Sequence, residues 1–283
     1  MNLGKYKDCT HYLLKQKKIK SKLDEISILC ATWFRQKCLR RFELPYIEMF
    51  ITTKCNLRCD ACSNLIPDMK DSEHIDKDVI FKTIDKLLSN IDSLYRLKLH
   101  GGEVFLHPQL SDIVEFTGKK KKIVSLRLAT NGTIIPDNEV LDTIKKFNFV
   151  VQISDYSLPN TRTDELIKLL NQKDVRYSYS KDKLWRNMNG LELRDSNRRS
   201  DCTIARCTSL IDEHIHICSR AAMMDKLYGI KSKCVNVFQD RKKFQKETIS
   251  LFNDLNINAC RYCDGDTEFA LPISAGAQRS TAQ

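Results

Sequence analysis

From Tyr46 onward, short runs of β-branched and apolar residues alternate with longer stretches in which apolar positions recur every three to four residues. Tyr46–Thr52, Tyr95–Leu99, Ile123–Ala129, Phe149–Ile153 and Val175–Tyr179 predict strands. Between the first two, Val79, Ile80, Ile84, Leu87 and Leu88 share one face of a helix predicted to start at Asp76, an N-cap residue type, and to run through Ile91. Further helices are predicted after Pro108, near 137–147 and at 162–171, and the run Lys119–Lys122 reads as a solvated helix end. Strict alternation of strand and helix argues for a parallel sheet with right-handed crossovers. In such sheets ligands bind beyond the carboxyl ends of the strands.

The alternation stops near residue 180. Residues 181–201 are polar and Arg-rich and read as a connection. Short strands at Ser209–Ile211 and His214–Cys218, a helix over Lys242–Leu255 and a loop-like tail from Leu271 follow. At the other end, Ile19, Leu23, Ile26, Leu29 and Trp33 lie at helical spacing within 17–40, with lysines opposite. That helix either docks on the main domain or meets a membrane surface or partner protein. The expected organisation is a basic N-terminal segment over 1–44, an α/β core over 45–200 and a small cysteine-bearing domain over 201–283.

The 283 residues, 42% hydrophobic and 29% charged, can bury a substantial core. No apolar run approaches the length of a membrane span, and residues 1–30 lack the apolar stretch of a signal peptide. A cytoplasmic protein with reduced or metal-bound thiols is therefore expected. The net charge of +11 invites an anionic partner, but eleven Lys and Arg against four Asp and Glu place +7 of it in residues 1–45. No nucleic-acid groove through the body is expected, whereas a phosphate on a small substrate stays open.

The twelve cysteines fall in groups: Cys9, Cys30 and Cys38; then Cys55, Cys59 and Cys62; then, after a long gap, Cys202, Cys207, Cys218, Cys234, Cys260 and Cys263. The middle group follows the first strand directly. Its three thiols suit a four-iron cluster with one iron left open; a zinc site borrowing a remote ligand, or plain buried thiols, are the alternatives. The next strand ends carry His100-Gly101-Gly102-Glu103, Thr130-Asn131-Gly132 and Ser154-Asp155. Taken singly, Gly101-Gly102 is a tight turn and Asn131 or Ser154 a cap. Together they converge where such sheets bind ligands.

Cys55-x3-Cys59-x2-Cys62 after the first strand, with Gly101-Gly102-Glu103 after the second, resembles the radical S-adenosylmethionine (radical SAM) superfamily over roughly residues 45–180. The resemblance implies a partial (β/α) barrel whose three cysteines hold a [4Fe-4S] cluster. It implies that the open iron chelates S-adenosylmethionine, that Gly101, Gly102 and Glu103 receive its amino group, and that Asn131 and Ser154 contact it. The product of that chemistry is a 5′-deoxyadenosyl radical, fed by an external one-electron reductant such as flavodoxin or ferredoxin. The family usually has an aromatic before the third cysteine, whereas Ala61 stands here.

Cys207-x10-Cys218 with the distant Cys260-x2-Cys263 resembles the twitch domain, the shortened relative of the SPASM domain, which implies a second, auxiliary [4Fe-4S] cluster with four protein ligands. A structural zinc site is the alternative. Cys202 and Cys234 are then spare thiols, alternative ligands or hydrogen donors, while His214 and His216 read as strand residues. Trp185 and Arg186 are candidates to face the substrate. The whole pattern is similar to a twitch-type aminocyclitol dehydrogenase and to radical SAM proteins of polysaccharide gene clusters. It implies oxidation or epimerisation of a sugar or cyclitol, with a phosphorylated or nucleotide-linked form left open. A SPASM-type peptide maturase and a non-catalytic iron–sulfur protein are the other readings.

Overall fold

A short strand that the pattern did not announce, β1 (Glu43–Leu44), precedes the five expected ones, which appear in order with small shifts of boundary: β2 (Ile47–Thr52), β3 (Ser93–Gly101), β4 (Ile123–Thr130), β5 (Val150–Asp155) and β6 (Tyr177–Lys181). In this computed structural model, which describes residues 38–188, 191–195, 202, 207–265 and 267–279, β2 through β6 pair consecutively and in parallel. The helix expected from Ile19 to Trp33, with Cys9 and Cys30, lies outside the described residues. The crossovers are α1 (Lys77–Asn90), α2 (Leu110–Gly118), α3 (Asn138–Lys146) and α4 (Thr163–Gln172). Asp76 caps α1 as expected, accepting the Asp78 N–H at 2.8 Å.

β3 shows how the sheet divides. Successive strand side chains point to opposite faces, so Leu97 and Leu99 lie on one side and Arg96, Lys98 and His100 on the other. Leu126 and Leu128 on β4, and Val151 and Ile153 on β5, continue the apolar face. They share one buried core with Ile80, Ile84 and Leu87 of α1, Ile113 of α2, Ile144 of α3 and Leu166 of α4. Each such side chain contributes about 1.5–3 kcal/mol by leaving water. The opposite face carries Glu48, Lys98, His100, Gln152 and Ser154, all of which line a cavity.

The remaining strands are β7 (Leu184–Arg186), β8 (Ser209–Ile211), β9 (His214–His216), β10 (Val235–Asn236) and β11 (Pro272–Ser274). β8 lies parallel to β2 on the edge away from β3, and β9 and β10 extend it in antiparallel fashion. Among the described residues the sheet has nine strands and runs from β10 to β6 without closing. This is the expected partial (β/α) barrel. Among the described residues no helix is long and apolar enough to cross a membrane.

Four local expectations change. Residues 181–201 and the tail, expected as loops, supply β7 and β11, which pair with each other; three-residue strands are too short for periodicity to register. The strand expected at His214–Cys218 stops at His216, and an unexpected helix, α5 (Ser219–Tyr228), follows it. Ser219 through Met224 are all buried, so the helix has no polar face to produce a 3.6-residue period. A last helix, α6 (Arg241–Asn253), matches the one expected near Lys242. In the lysine run, Lys122 Nζ donates to Leu88 O at 2.6 Å and Ile91 O at 2.8 Å, tying the end of α1 rather than standing in solvent.

Candidate active site

The thiol loop leaves β2 where β3 ends, and the two backbones touch. Gly102 N donates to Thr52 O at 2.9 Å and Glu103 N to Lys54 O at 2.8 Å. A Cβ at Gly101 (φ 149°) would stand 1.9 Å from Thr52 O, and one at Gly102 would stand 2.0 Å from Lys54 O. The glycines therefore serve the root of the loop itself: no side chain fits between it and β3. Cys55, Cys59, Ala61, Cys62, Gly101, Gly102, Asn131 and Ser154 line one cavity of about 840 Å³.

N–H donors point at the loop sulfurs. Leu57 N lies 3.4 Å and Asn131 Nδ2 3.9 Å from Cys55 Sγ, and Gln278 Nε2 lies 3.3 Å from Cys59 Sγ. Burial pushes the Cys55 thiol up to about 12 and Cys59 to about 11, and raises Cys62. Desolvated sulfurs supplied with N–H donors fit a metal–sulfur centre, whose positive charge reverses that preference for the neutral thiol. Among the described residues, no group of three or more His, Cys, Asp or Glu closes around a single ion position.

Glu103 is placed differently from its neighbours. Its carboxylate accepts Phe105 N–H at 3.1 Å and Asn131 N–H at 2.8 Å, so it ties the end of β3 to the loop after β4. It is fully buried, and burial outweighs these bonds and raises it to about 7. The Asn131 side chain accepts from Thr133 N at 3.0 Å and donates to Asn56 Oδ1 at 3.2 Å, which holds it in the cavity wall.

Sequence reasoning missed Glu48, Lys98 and His100, buried or nearly so on the same cavity. Lys98 Nζ and the Tyr46 hydroxyl both reach Glu48 Oε1. Burial opposes charge on Glu48, but the adjacent Lys98 brings it down to about 2, while burial lowers His100 to about 4. The signal was the alternation Arg96-Leu97-Lys98-Leu99-His100, a strand with one polar face. Gln278, Tyr156 and Trp185 complete the neighbourhood; the two aromatic rings meet edge to face at 4.7 Å, and both line the cavity, as does Arg186.

The C-terminal thiols gather elsewhere. Cys218 caps α5, accepting Ala221 N–H at 3.4 Å, and burial pushes its thiol up to about 12. Cys260, Cys263 and Cys202 each act on Cys218 electrostatically, and Cys202 also acts on Cys263. Cys202 packs against the turn after Cys263: a Cβ at Gly265 would lie 3.0 Å from its sulfur. Cys207 lines the large cavity, near enough to Tyr46 to raise that phenol. Cys234 is half-buried near Asp225 and Glu247, and His214 and His216 are residues of β9.

The family description "Radical SAM superfamily" matches residues 49–188. A GTP 3′,8-cyclase of Clostridium perfringens is 28% identical over 144 residues, 49% of this chain and 43% of the cyclase. The subtilosin biosynthesis protein AlbA of Bacillus subtilis is 32% identical over 117 residues, 40% of this chain and 25% of AlbA. The chain thus spans less than half the length of these curated relatives. Among solved structures, BtrN in complex with AdoMet and 2-DOIA superposes with a TM-score of 0.56 at 18% identity, covering 78% of this chain and 93% of BtrN. At that identity the match shows a shared fold. With the thiol loop, Gly101-Gly102-Glu103, Asn131 and Ser154 all inside it, the matched segment, residues 49–188, is a radical SAM domain.

Proposed function

We propose that the chain is an enzyme that binds S-adenosylmethionine at a [4Fe-4S] cluster held by Cys55, Cys59 and Cys62, and removes hydrogen from a sugar- or cyclitol-like small molecule to oxidise or epimerise it. One observation carries the reading: the three loop thiols share a single cavity with Gly101, Gly102, Asn131 and Ser154 at one end and with polar and aromatic side chains elsewhere on its wall. When bound there, the cluster supplies the electron that cleaves the sulfonium and yields a 5′-deoxyadenosyl radical. The chain's own residues do the rest. Gly101 and Gly102 leave the loop root unobstructed, and Glu103 fixes the backbone of Asn131 so that its side chain stays in the wall. Tyr156 and Trp185 offer the aromatic surface that Ala61 does not.

Cys218, Cys260 and Cys263, with Cys202 as fourth thiol in place of the expected Cys207, would hold a second cluster that conducts the electron leaving the substrate. The GTP 3′,8-cyclase relative is named for a nucleotide and BtrN was solved with 2-DOIA, both small molecules. AlbA, named for bacteriocin biosynthesis, supports a second reading in which the substrate is a peptide.

Anaerobic reconstitution with dithionite and S-adenosylmethionine tests the proposal. The expected result is roughly eight irons per chain, as two four-iron clusters require, with 5′-deoxyadenosine as product. Absence of 5′-deoxyadenosine under dithionite, flavodoxin or ferredoxin overturns the catalytic reading. Roughly four irons together with bound zinc overturns the second cluster.

A further inference from the structure

The polar face of the sheet holds a buried ionic group that neither thiol site uses. Glu48 on β2 and Lys98 on β3 are register partners, and His100 stands one step nearer the strand end, opposite Phe50. Glu48 is 4% exposed and His100 6%. Burying a carboxylate, an ammonium and an imidazole together is costly, and barrel interiors are ordinarily filled by branched aliphatic side chains. Here the group lines the cavity that also holds the loop thiols. The same wall reaches Ser219, the residue after Cys218, so one chamber touches both thiol regions.

The geometry leaves a place to fill. Lys98 and Tyr46 both converge on Glu48 Oε1, whereas Oε2 lies 3.6 Å from His100 Nε2, too far for a hydrogen bond. That ring nitrogen is buried with no hydrogen-bond partner. Phe50 packs edge-on against the imidazole with ring centroids 4.3 Å apart, which limits its rotation toward or away from Glu48. A buried polar atom without a partner is expensive, and a ligand group that both donates and accepts can satisfy the two sides at once. A hydroxyl does so. An ammonium only donates, and a phosphate brings its own negative charge against Glu48. Lys98 already balances that carboxylate, so the group offers no surplus positive charge to an anion.

We propose that Glu48 and His100 bind a hydroxyl of a neutral polyol, the sugar or cyclitol part of the substrate, with Lys98 and Tyr46 as positioning residues that fix the carboxylate. This rests on the reading of the cavity as the substrate chamber of a radical enzyme. Any phosphate or nucleotide on the substrate must then lie away from Glu48.

Saturation-transfer NMR and calorimetry on the reconstituted holoenzyme with S-adenosylmethionine test this, using myo-inositol, an unphosphorylated aminocyclitol, N-acetylglucosamine and, as anion probe, inorganic phosphate. At least one neutral polyol should bind the wild type, and Glu48→Gln and His100→Phe should each weaken it about tenfold or more, the loss expected for a hydrogen bond to a charged or buried group. Lys98→Met should weaken it less. Glu48→Gln keeps side-chain shape; an unchanged cluster absorption spectrum and unchanged S-adenosylmethionine affinity establish that each variant is folded and loaded. Equal polyol affinity in wild type and both variants overturns the subsite, as does a wild type that binds phosphate or nothing at all. Formation of 5′-deoxyadenosine separates the two claims. A wild type that cleaves S-adenosylmethionine yet binds no polyol loses only the subsite, and one that binds polyols through Glu48 but never cleaves the cofactor loses only the radical reading.

Discussion

The two thiol groups of this chain are built in opposite ways. Cys55, Cys59 and Cys62 fall within eight consecutive residues on a loop that leaves one strand. Their mutual geometry is written into their spacing, and the sheet needs only to supply a place for the loop. Cys202, Cys218, Cys260 and Cys263 are spread over 62 residues and come from a connection, a helix cap and a 3-10 turn over Asn258–Tyr262. Tertiary structure alone decides which of those thiols meet. Cys202 and Cys207 are five positions apart, yet one faces the C-terminal group and the other the large cavity.

Cysteine substitutions test that contrast with the largest expected effects. Cys55→Ala should abolish 5′-deoxyadenosine formation and remove roughly half of the iron, one four-iron cluster of two. Cys218→Ala should also remove roughly half of the iron, yet leave a single turnover of S-adenosylmethionine cleavage detectable. The finer division is between Cys202→Ala, which should lower iron content like Cys218→Ala, and Cys207→Ala, which should leave it intact. Iron analysis with the reverse result would return Cys207 to the ligand set.

The loop's dependence on one close backbone crossing gives the next effect. Gly102→Ala places a methyl 2.0 Å from Lys54 O, an immovable backbone atom. The substitution should cost about 3 kcal/mol or more, as overpacking without room to relax does. At Gly229, by contrast, the φ of 65° is the whole obstacle, since nothing lies within 4 Å of an added Cβ. Gly229→Ala should cost only about 1 kcal/mol. Urea unfolding of the two variants gives both numbers, and equal losses would mean that the crossing under the thiol loop is not tight.

The same contrast explains what was legible in the sequence. The strand–helix alternation and its strand-end residues were visible because amphipathic periods and turn residues are local signals. The thiol loop was visible because spacing carries its geometry. The resemblance implies that Gly101 and Gly102 receive the amino group of a cofactor, whereas their first constraint is the passing backbone of residues 52–54, a contact that no local pattern reports. The same resemblance gives Glu103 that amino group, and in the structure its oxygens accept backbone N–H groups of Phe105 and Asn131. α5 went unseen because its first six residues, Ser219–Met224, are all buried and carry no period. Glu48, Lys98 and His100 were legible only as alternation, since their meeting depends on the register of β2 with β3.

Glu103 makes its part of the barrel titrate. Its carboxyl has an ordinary value of 4.5 and about 7 when buried here. Between those values the folded chain keeps a proton that the unfolded chain has lost, so the folded state binds more protons. This contribution to stability is therefore full below pH 4.5, declines as pH rises toward 7, and stays lost above it, a change of about 3 kcal/mol. Glu103→Gln should remove that slope, whatever it does to the absolute level through the altered hydrogen bonds. His100 and His216, both lowered to about 4 by burial, slope the other way, so the readout is the difference between wild-type and variant profiles. A difference that does not change with pH between 4.5 and 7 would show that Glu103 stays ionised.

The smallest effect concerns a place where the distant tail reaches the local site. Gln278 pairs with Cys59 in an isolated antiparallel bridge; its Nε2 lies 3.3 Å from Cys59 Sγ and its Oε1 accepts Arg58 N–H at 2.8 Å. Ala277 O accepts Asp60 N–H at 2.7 Å, and Arg279 Nη1 reaches Asp68 Oδ1 at 2.5 Å. The tail is thus a clamp on the thiol loop, held in place by the pairing of β11 with β7. Gln278→Ala should cost only about 1 kcal/mol, because the backbone part of the clamp survives. Its sharper signature is spectroscopic: removing one N–H donor from a cluster sulfur changes the electron density there. The reduced signal of the cluster on Cys55, Cys59 and Cys62 should shift in electron paramagnetic resonance while that of the C-terminal cluster stays fixed. If both signals move together, the two sites are coupled through more than this tail, and the division between a local and an assembled thiol group is less complete than the fold suggests.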